Sequence, residues 1–229
     1  IQEAAGPDST VVIVDSPKEG IEFASTADVI LGITPKWLFE SAPNLKWVHA
    51  TASGVDMFMF DEFVNSDVIL TGEKGLVGGH LADTAFGLLL ALTRKIKKAI
   101  ELGPQGWSQE NRELMRFSEI ELEGLTMGIV GFGGTGRHLA RRATAFGMKV
   151  RAVDAFPVEP SDGVAEVEDM KSLADIVTTS DVLAVGLPLT EDTRGMCNYS
   201  FFEQMKPTAI FLNVTRGEII DGPGLEKAL

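Results

Sequence analysis

Along the first third of the chain, short β-branched runs alternate with amphipathic stretches. Residues 10–15, 29–32, 47–51 and 68–71 read as strands, with helical segments such as 36–41 between them, a βα repetition. A long helical stretch, 79–102, follows. It leads into a polar segment, 103–123, which carries Pro104, Gly106 and Trp107 and shows no clear period, and here the chain is expected to cross between domains.

A second βα series begins at Thr126, with apolar runs at 127–131, 150–154, 182–187 and 209–214. Near-continuous apolar strands of this kind predict a parallel sheet covered on both faces. Between the first two runs, Leu139, Ala140, Ala143 and Phe146 recur at helical spacing, and Gly147 stands where a left-handed cap would end that helix. Ser172, ahead of Leu173 and Asp175, reads as the N-cap of the next helix. A last helix is expected over 223–229, introduced by Asp221 and Gly222. Because the chain starts at Ile1 rather than Met and stops inside this predicted helix, it reads as a window on a longer protein.

Composition narrows the function classes. Acidic residues outnumber basic ones 33 to 20, for a net charge of −13. Coating nucleic acid needs clustered Lys and Arg, so no nucleic-acid partner is expected. The longest apolar run, residues 85–92, is too short for a bilayer and is followed at once by Arg94, Lys95, Lys97 and Lys98, so no membrane span is expected either. The single cysteine, Cys197, excludes an internal disulfide and a Cys-cluster metal site, and it fits a reducing, cytoplasmic setting. No metal site is expected.

The segment Gly131-Phe132-Gly133-Gly134-Thr135-Gly136 follows a predicted strand and opens a predicted helix. In that context G-x-G-x-x-G is a dinucleotide-binding turn: Gly131 permits the tight turn, Gly133 lets a pyrophosphate approach the backbone, and Gly136 lets helix and strand pack closely. Asp154 ends the next strand, where its carboxylate can accept hydrogen bonds from an adenosine ribose. The same carboxylate would repel a 2′-phosphate, and Ala155, Phe156 and Pro157 bring no cation, so NAD is preferred over NADP. Arg151 would spoil that preference only if it reached the ribose from the rim of the sheet.

Two further segments, Leu187-Pro188-Leu189-Thr190-Glu191-Asp192-Thr193-Arg194-Gly195 and Asn213-Val214-Thr215-Arg216-Gly217-Glu218-Ile219-Ile220-Asp221, closely resemble signatures of the D-isomer-specific 2-hydroxyacid dehydrogenase family. Thr51-Ala52-Ser53-Gly54-Val55-Asp56 is similar to that family's substrate-carboxylate loop, and Leu81-Ala82-Asp83 to the start of its interdomain helix. The resemblance implies an α/β architecture: a Rossmann-type doubly wound parallel sheet at 78–229 and a second, flavodoxin-like α/β substrate domain at 1–77. It implies a homodimeric oxidoreductase that moves a hydride between NAD(H) and a small D-2-hydroxy acid or 2-oxo acid such as glyoxylate or hydroxypyruvate. Arg216 would be the catalytic and substrate-binding residue, facing the cleft and gripping the substrate carboxylate and carbonyl oxygen, as a planar guanidinium does bidentately. Backbone N–H groups of Ser53 and Gly54 would hold the same carboxylate. Leu187, Pro188 and Thr193 would line the cofactor, while Val214, Thr215 and Arg216 would touch it near the turn after the last strand.

The sequence departs from the family in several places. Gly134 and Thr135 stand where the family often has a basic and a branched apolar residue, and Thr215 replaces a common Ala or Ser. The family's acid/base histidine follows a proline downstream of the arginine motif and pairs with a glutamate. His49, His80 and His138 do not follow proline; His49, close in sequence to Ser53, is either a residue lining the cleft or, as the favoured reading, a packed or solvated one, and His80 and His138 read as structural. An NAD-sensing binding protein or corepressor of the same fold is the alternative reading.

Overall fold

The computed structural model describes residues 2–52, 54–73, 75–161 and 163–229. The chain divides into two compact units, Ile1–Lys74 and Gly75–Leu229.

In the first unit three strands, β1 (Val29–Leu31), β2 (Trp47–Ala50) and β3 (Ile69–Gly72), form a parallel sheet in the order β1-β2-β3. Helix Pro17–Ala24 starts on Ser16, whose hydroxyl accepts from the Glu19 N–H, and helix Lys36–Glu40 links β1 to β2. Leu38, Leu45, Val48, Ala50, Phe58 and Phe63 make the core of this unit. Residues 10–15, expected as a strand, are not one, and Ile13 is 83% exposed. A continuous run of β-branched residues gives a chain strand propensity, but a strand exists only where a neighbour takes its N–H and C=O groups, and this segment has no ladder partner among the described residues.

The second unit carries a five-stranded parallel sheet in the order β6-β5-β4-β7-β8, built from β4 (Thr126–Val130), β5 (Lys149–Val153), β6 (Val167–Glu168), β7 (Val182–Val185) and β8 (Ile210–Asn213). Helices Gly78–Thr93 and Gly134–Ala145 cover one face, where Ala82, Phe86, Leu89, Leu139 and Ala143 meet Met127, Ile129 and Ala184. Helices Leu173–Thr179 and Tyr199–Phe202 cover the other, packing Ile176, Val177, Phe201 and Phe202 against Val130, Val153, Leu183 and Val185. Burial on both faces is why these strands read as apolar runs rather than alternating ones. From the central β4 the chain moves outward to β5 and β6, then returns to the opposite side of β4 for β7 and β8. That reversal puts a crevice between the loops after β4 and β7, the ligand position of doubly wound sheets.

Several expectations are corrected here. The predicted helix over 79–102 breaks after Thr93: Lys95 takes a left-handed φ of 54°, and a second helix runs Ile96–Leu102. The Ile120 N–H donates to the Thr93 carbonyl at 2.9 Å, satisfying one of the acceptors that the helix end leaves open. Segment 103–123 does not cross between the units. It lies within the second and holds a helix, Gln109–Ser118, capped by Ser108. None of that helix's residues is buried, and its apolar residues Leu114 and Phe117 stay exposed. Ser172 precedes helix Leu173–Thr179 but makes no side-chain cap. The capping carboxylate is Asp169, which accepts from the Lys171 N–H at the head of a 3-10 turn running into the helix. Gly147 is left-handed as expected, with φ 72°, and Asp221 caps the helix Gly222–Ala228.

Candidate functional site

The site grows from backbone crowding at the carboxyl end of β4. Gly131 sits at φ 94°, a conformation that side-chain-bearing residues avoid, and a Cβ there would stand 2.9 Å from Leu187 Cδ2 and 3.0 Å from the Gly186 carbonyl. Gly136 is tighter still, because its Cβ would fall 2.3 Å from the Gly131 carbonyl oxygen. Helix Gly134–Ala145 therefore begins directly against the strand end, and its first turn has no side-chain cap. At Gly133 a Cβ would meet nothing within 4 Å. Strand, bare helix N-terminus and open glycine backbone make a cradle for an anion, because unpaired N–H groups and the positive end of the helix dipole face the same space.

Gly134, unusual as a replacement for a basic residue, has a steric explanation. Its Cβ would lie 2.8 Å from Gly75 Cα, and a Cβ on Gly78 would lie 2.8 Å from the Gly134 carbonyl, so two glycine backbones close over this position. Thr135 follows in the first turn of the helix, half-buried.

Asp154 stands at the end of β5, half-buried. Its Oδ2 accepts from the Phe132 N–H at 2.7 Å and its Oδ1 from the Phe156 N–H at 3.0 Å. Each carboxylate oxygen keeps a further lone pair for a ligand hydroxyl. Arg151 does not reach this region. Its guanidinium is held by Asp175 at 2.6 Å and by both oxygens of Glu168 at 2.8 and 3.0 Å, and the hydrogen bond to Asp175, ahead of the contacts with Glu168, raises its pKa further. The half-exposed cation is spent on the edge of the sheet rather than on a phosphate.

After β7, Leu187 is buried against Gly131 while Pro188 is exposed. Thr193 folds this loop onto itself, donating to the Pro188 carbonyl at 2.7 Å and accepting from the Thr190 N–H at 2.8 Å. After β8, Asn213 shapes the turn that carries Val214, Thr215 and Arg216. Its amide donates to the Arg216 carbonyl at 2.8 Å, and its oxygen accepts from the Thr215 N–H at 3.0 Å and hydroxyl at 2.9 Å. Arg216 is half-buried at the head of a short 3-10 turn. Gly131–Gly136, Asp154, Leu187–Thr193 and Val214–Arg216 thus all follow the carboxyl ends of strands in one parallel sheet. Asn213, which the motif contained but which had no assigned task, is the residue that fixes the arginine turn.

In the first unit, Gly54 follows β2, while Ser53 falls outside the described residues. His49 Nδ1 lies 2.9 Å from the Thr71 hydroxyl, which also accepts from Trp47 Nε1 at 2.7 Å. His138 packs beside Gly78, and His80 is exposed. Among the described residues no group of His, Cys, Asp and Glu is arranged to hold a metal ion, and no helix is long and apolar enough to cross a membrane.

The residues present fit a dinucleotide: an open glycine backbone and a bare helix N-terminus for the diphosphate, a carboxylate at the next strand end for a ribose. Comparisons with known proteins agree. Residues 86–229 match the sequence model of the D-isomer specific 2-hydroxyacid dehydrogenase NAD-binding domain. The chain is 35% identical to a glyoxylate reductase of Thermococcus litoralis over 199 residues, 85% of this chain and 59% of the relative. It is 31% identical to a glyoxylate reductase/hydroxypyruvate reductase of Mus musculus over 198 residues, 86% of this chain and 60% of the relative. Among solved structures, a D-isomer specific 2-hydroxyacid dehydrogenase family protein from Aeromonas salmonicida superposes with a TM-score of 0.81 at 30% identity, covering 94% of this chain and 68% of that one. A D-lactate dehydrogenase from Aquifex aeolicus, complexed with NAD and lactic acid, superposes with a TM-score of 0.74 at 25% identity, covering 91% and 62%. The chain thus spans about three-fifths of the length of the curated relatives it matches.

Proposed function

Because the chain belongs to the D-isomer specific 2-hydroxyacid dehydrogenase family, we propose that it serves hydride transfer between NAD(H) and a small D-2-hydroxy acid or 2-oxo acid, with glyoxylate as the first substrate to test. The observation that carries this reading is the glycine-lined turn after β4, whose open Gly133 backbone lies at the carboxyl edge of the sheet that also carries Arg216.

Bound NADH supplies the hydride. The chain's own residues bind and orient. The N–H groups around Gly133 take the diphosphate, and Asp154 accepts from the adenosine ribose and disfavours a 2′-phosphate. Leu187, Pro188 and Thr193 line the cofactor, with Val214 and Thr215 touching it along the backbone. Arg216 grips the 2-oxo acid and draws electron density from its carbonyl oxygen.

The test is NADH oxidation, followed by the cofactor's absorbance, with glyoxylate, hydroxypyruvate and pyruvate. Turnover with at least one of them, faster with NADH than with NADPH, is expected. Tight NADH binding with no turnover on any of them overturns the enzymatic reading in favour of an NAD-sensing protein.

The reading extends to a cytoplasmic homodimer. Leu92, Ile100, Trp107 and Phe117 of the second unit stay exposed, Trp107 at 80% and Phe117 at 81%, and apolar surface of that kind is characteristic of a covered interface. Sedimentation at micromolar concentration checks it, with a monomer as the contrary result.

A further inference from the structure

Asp154 is bonded in a way that accepting from a ribose does not require. Phe132, the second residue of the glycine motif, is held at both ends. Its N–H donates to Asp154 Oδ2 at 2.7 Å. Its ring is fully buried beside Leu139, Ala140 and Ala143, and the Arg137 guanidinium lies over it, 5.2 Å from the centroid, while donating to the Ser161 hydroxyl at 2.9 Å. The residues on either side are glycines: Gly131 at φ 94°, and Gly133, where a Cβ would meet nothing. A glycine pair is the part of a loop with the most conformational freedom, so the orientation of the Gly133 peptide depends on how firmly Phe132 is fixed.

We propose that Asp154 is a positioning residue for the diphosphate as well as an acceptor for the ribose: by holding the Phe132 N–H, its carboxylate aims the Gly133 peptide and the first turn of helix Gly134–Ala145 at the anion. The inference rests on the dinucleotide reading above. Both carboxylate oxygens are engaged, Oδ2 by the Phe132 N–H and Oδ1 by the Phe156 N–H. An asparagine presents one acceptor and one donor, so one of the two N–H groups would face another donor.

Two measurements separate this role from a ribose contact. The first is amide hydrogen exchange at Phe132 in the cofactor-free protein. Strong protection is expected in the wild type, and exchange at the rate of an exposed loop amide overturns the proposal without any variant. The second compares Asp154→Asn with wild type for binding of NADH and of reduced nicotinamide mononucleotide, which carries a phosphate but no adenosine ribose. Both ligands should bind about tenfold more weakly, the loss of one charge-assisted hydrogen bond. NADH weakened with the mononucleotide unchanged overturns the positioning role. A wild type that binds neither NADH nor NADPH removes the dinucleotide reading, and the proposal with it, while the Phe132 exchange still reports whether the Asp154 contact is present.

Discussion

The carbonyl oxygen of Gly131 and the space over the Gly136 Cα are in direct contact, with only 2.3 Å between that oxygen and a Cβ placed on Gly136. Gly136→Ala therefore forces strand end and helix start apart. It should destabilise the protein by about 1–3 kcal/mol, read from a chemical denaturation midpoint, and weaken NADH binding as the loop shifts. Gly133→Ala is the matched control, because a methyl there meets open space and the backbone is extended, at φ −75° and ψ −155°. Its midpoint should move by less than about 1 kcal/mol. The methyl nevertheless projects from the peptide assigned to the diphosphate, so NADH affinity should fall at least about tenfold. Unchanged affinity in Gly133→Ala would place the diphosphate elsewhere.

Thr193 carries the loop after β7 through two hydrogen bonds, to the Pro188 carbonyl and from the Thr190 N–H. Thr193→Val keeps the shape and removes both, whereas Thr193→Ser keeps the hydroxyl. The valine variant should raise the KM for NADH about three- to tenfold with little change in melting temperature, as expected for one or two modest hydrogen bonds in an exposed loop. The serine variant should behave as wild type. Equal effects of the two would show that the methyl, and not the hydroxyl, matters at this position.

What could be read from the sequence follows from where the physical requirement is local. Strands β4 and β7 were legible because burial on both faces leaves an apolar run, and the glycine turn was legible because backbone crowding admits only glycine at Gly131 and Gly136. Strand β6 has two residues, one of them Glu168, and so carries no pattern. The Thr93 carbonyl at the break is taken by the N–H of Ile120, and residues 10–15 have no ladder partner among the described residues; neither relation is visible within the segment itself. The site divides in the same way. Asp154 was visible as a carboxylate at a strand end, but its bond to Phe132 uses a backbone N–H 22 residues away, and an N–H is common to every residue type except proline.

Cys197 gives a prediction that owes nothing to the cofactor. It is fully buried, and burial pushes its thiol from an ordinary 9.0 up to about 12. The folded state thus keeps its proton where the unfolded chain has lost it. Stability is unaffected by this group below about pH 9, and falls as pH rises from there toward 12. Cys197→Ala should flatten that part of the stability profile relative to wild type. The native thiol should also resist a disulfide reagent at pH 8 and react fully once denaturant is added. Rapid reaction under native conditions would contradict the burial.

In the proposed reaction, Arg216 is the residue on which turnover is expected to depend most directly. It stands half-buried after β8, with φ −125° and ψ 133°, and its carbonyl is held by the Asn213 amide, which also fixes Thr215 through its oxygen. A guanidinium meets a 2-oxo acid with two parallel donors, so it both orients the carboxylate and stabilises the oxygen that gains charge as hydride arrives. Arg216→Ala should leave NADH affinity within about twofold of wild type and lower kcat/KM for glyoxylate about a hundred- to thousandfold, the usual loss for an oxyanion-stabilising donor. Arg216→Lys should recover only part of this, because an ammonium keeps the charge but loses the fork. Asn213→Ala retains the guanidinium yet releases its turn, so it should lower kcat more than it lowers NADH affinity. Full turnover in Arg216→Ala would remove the guanidinium from the chemistry and leave the turn after β8 as a structural feature of the sheet.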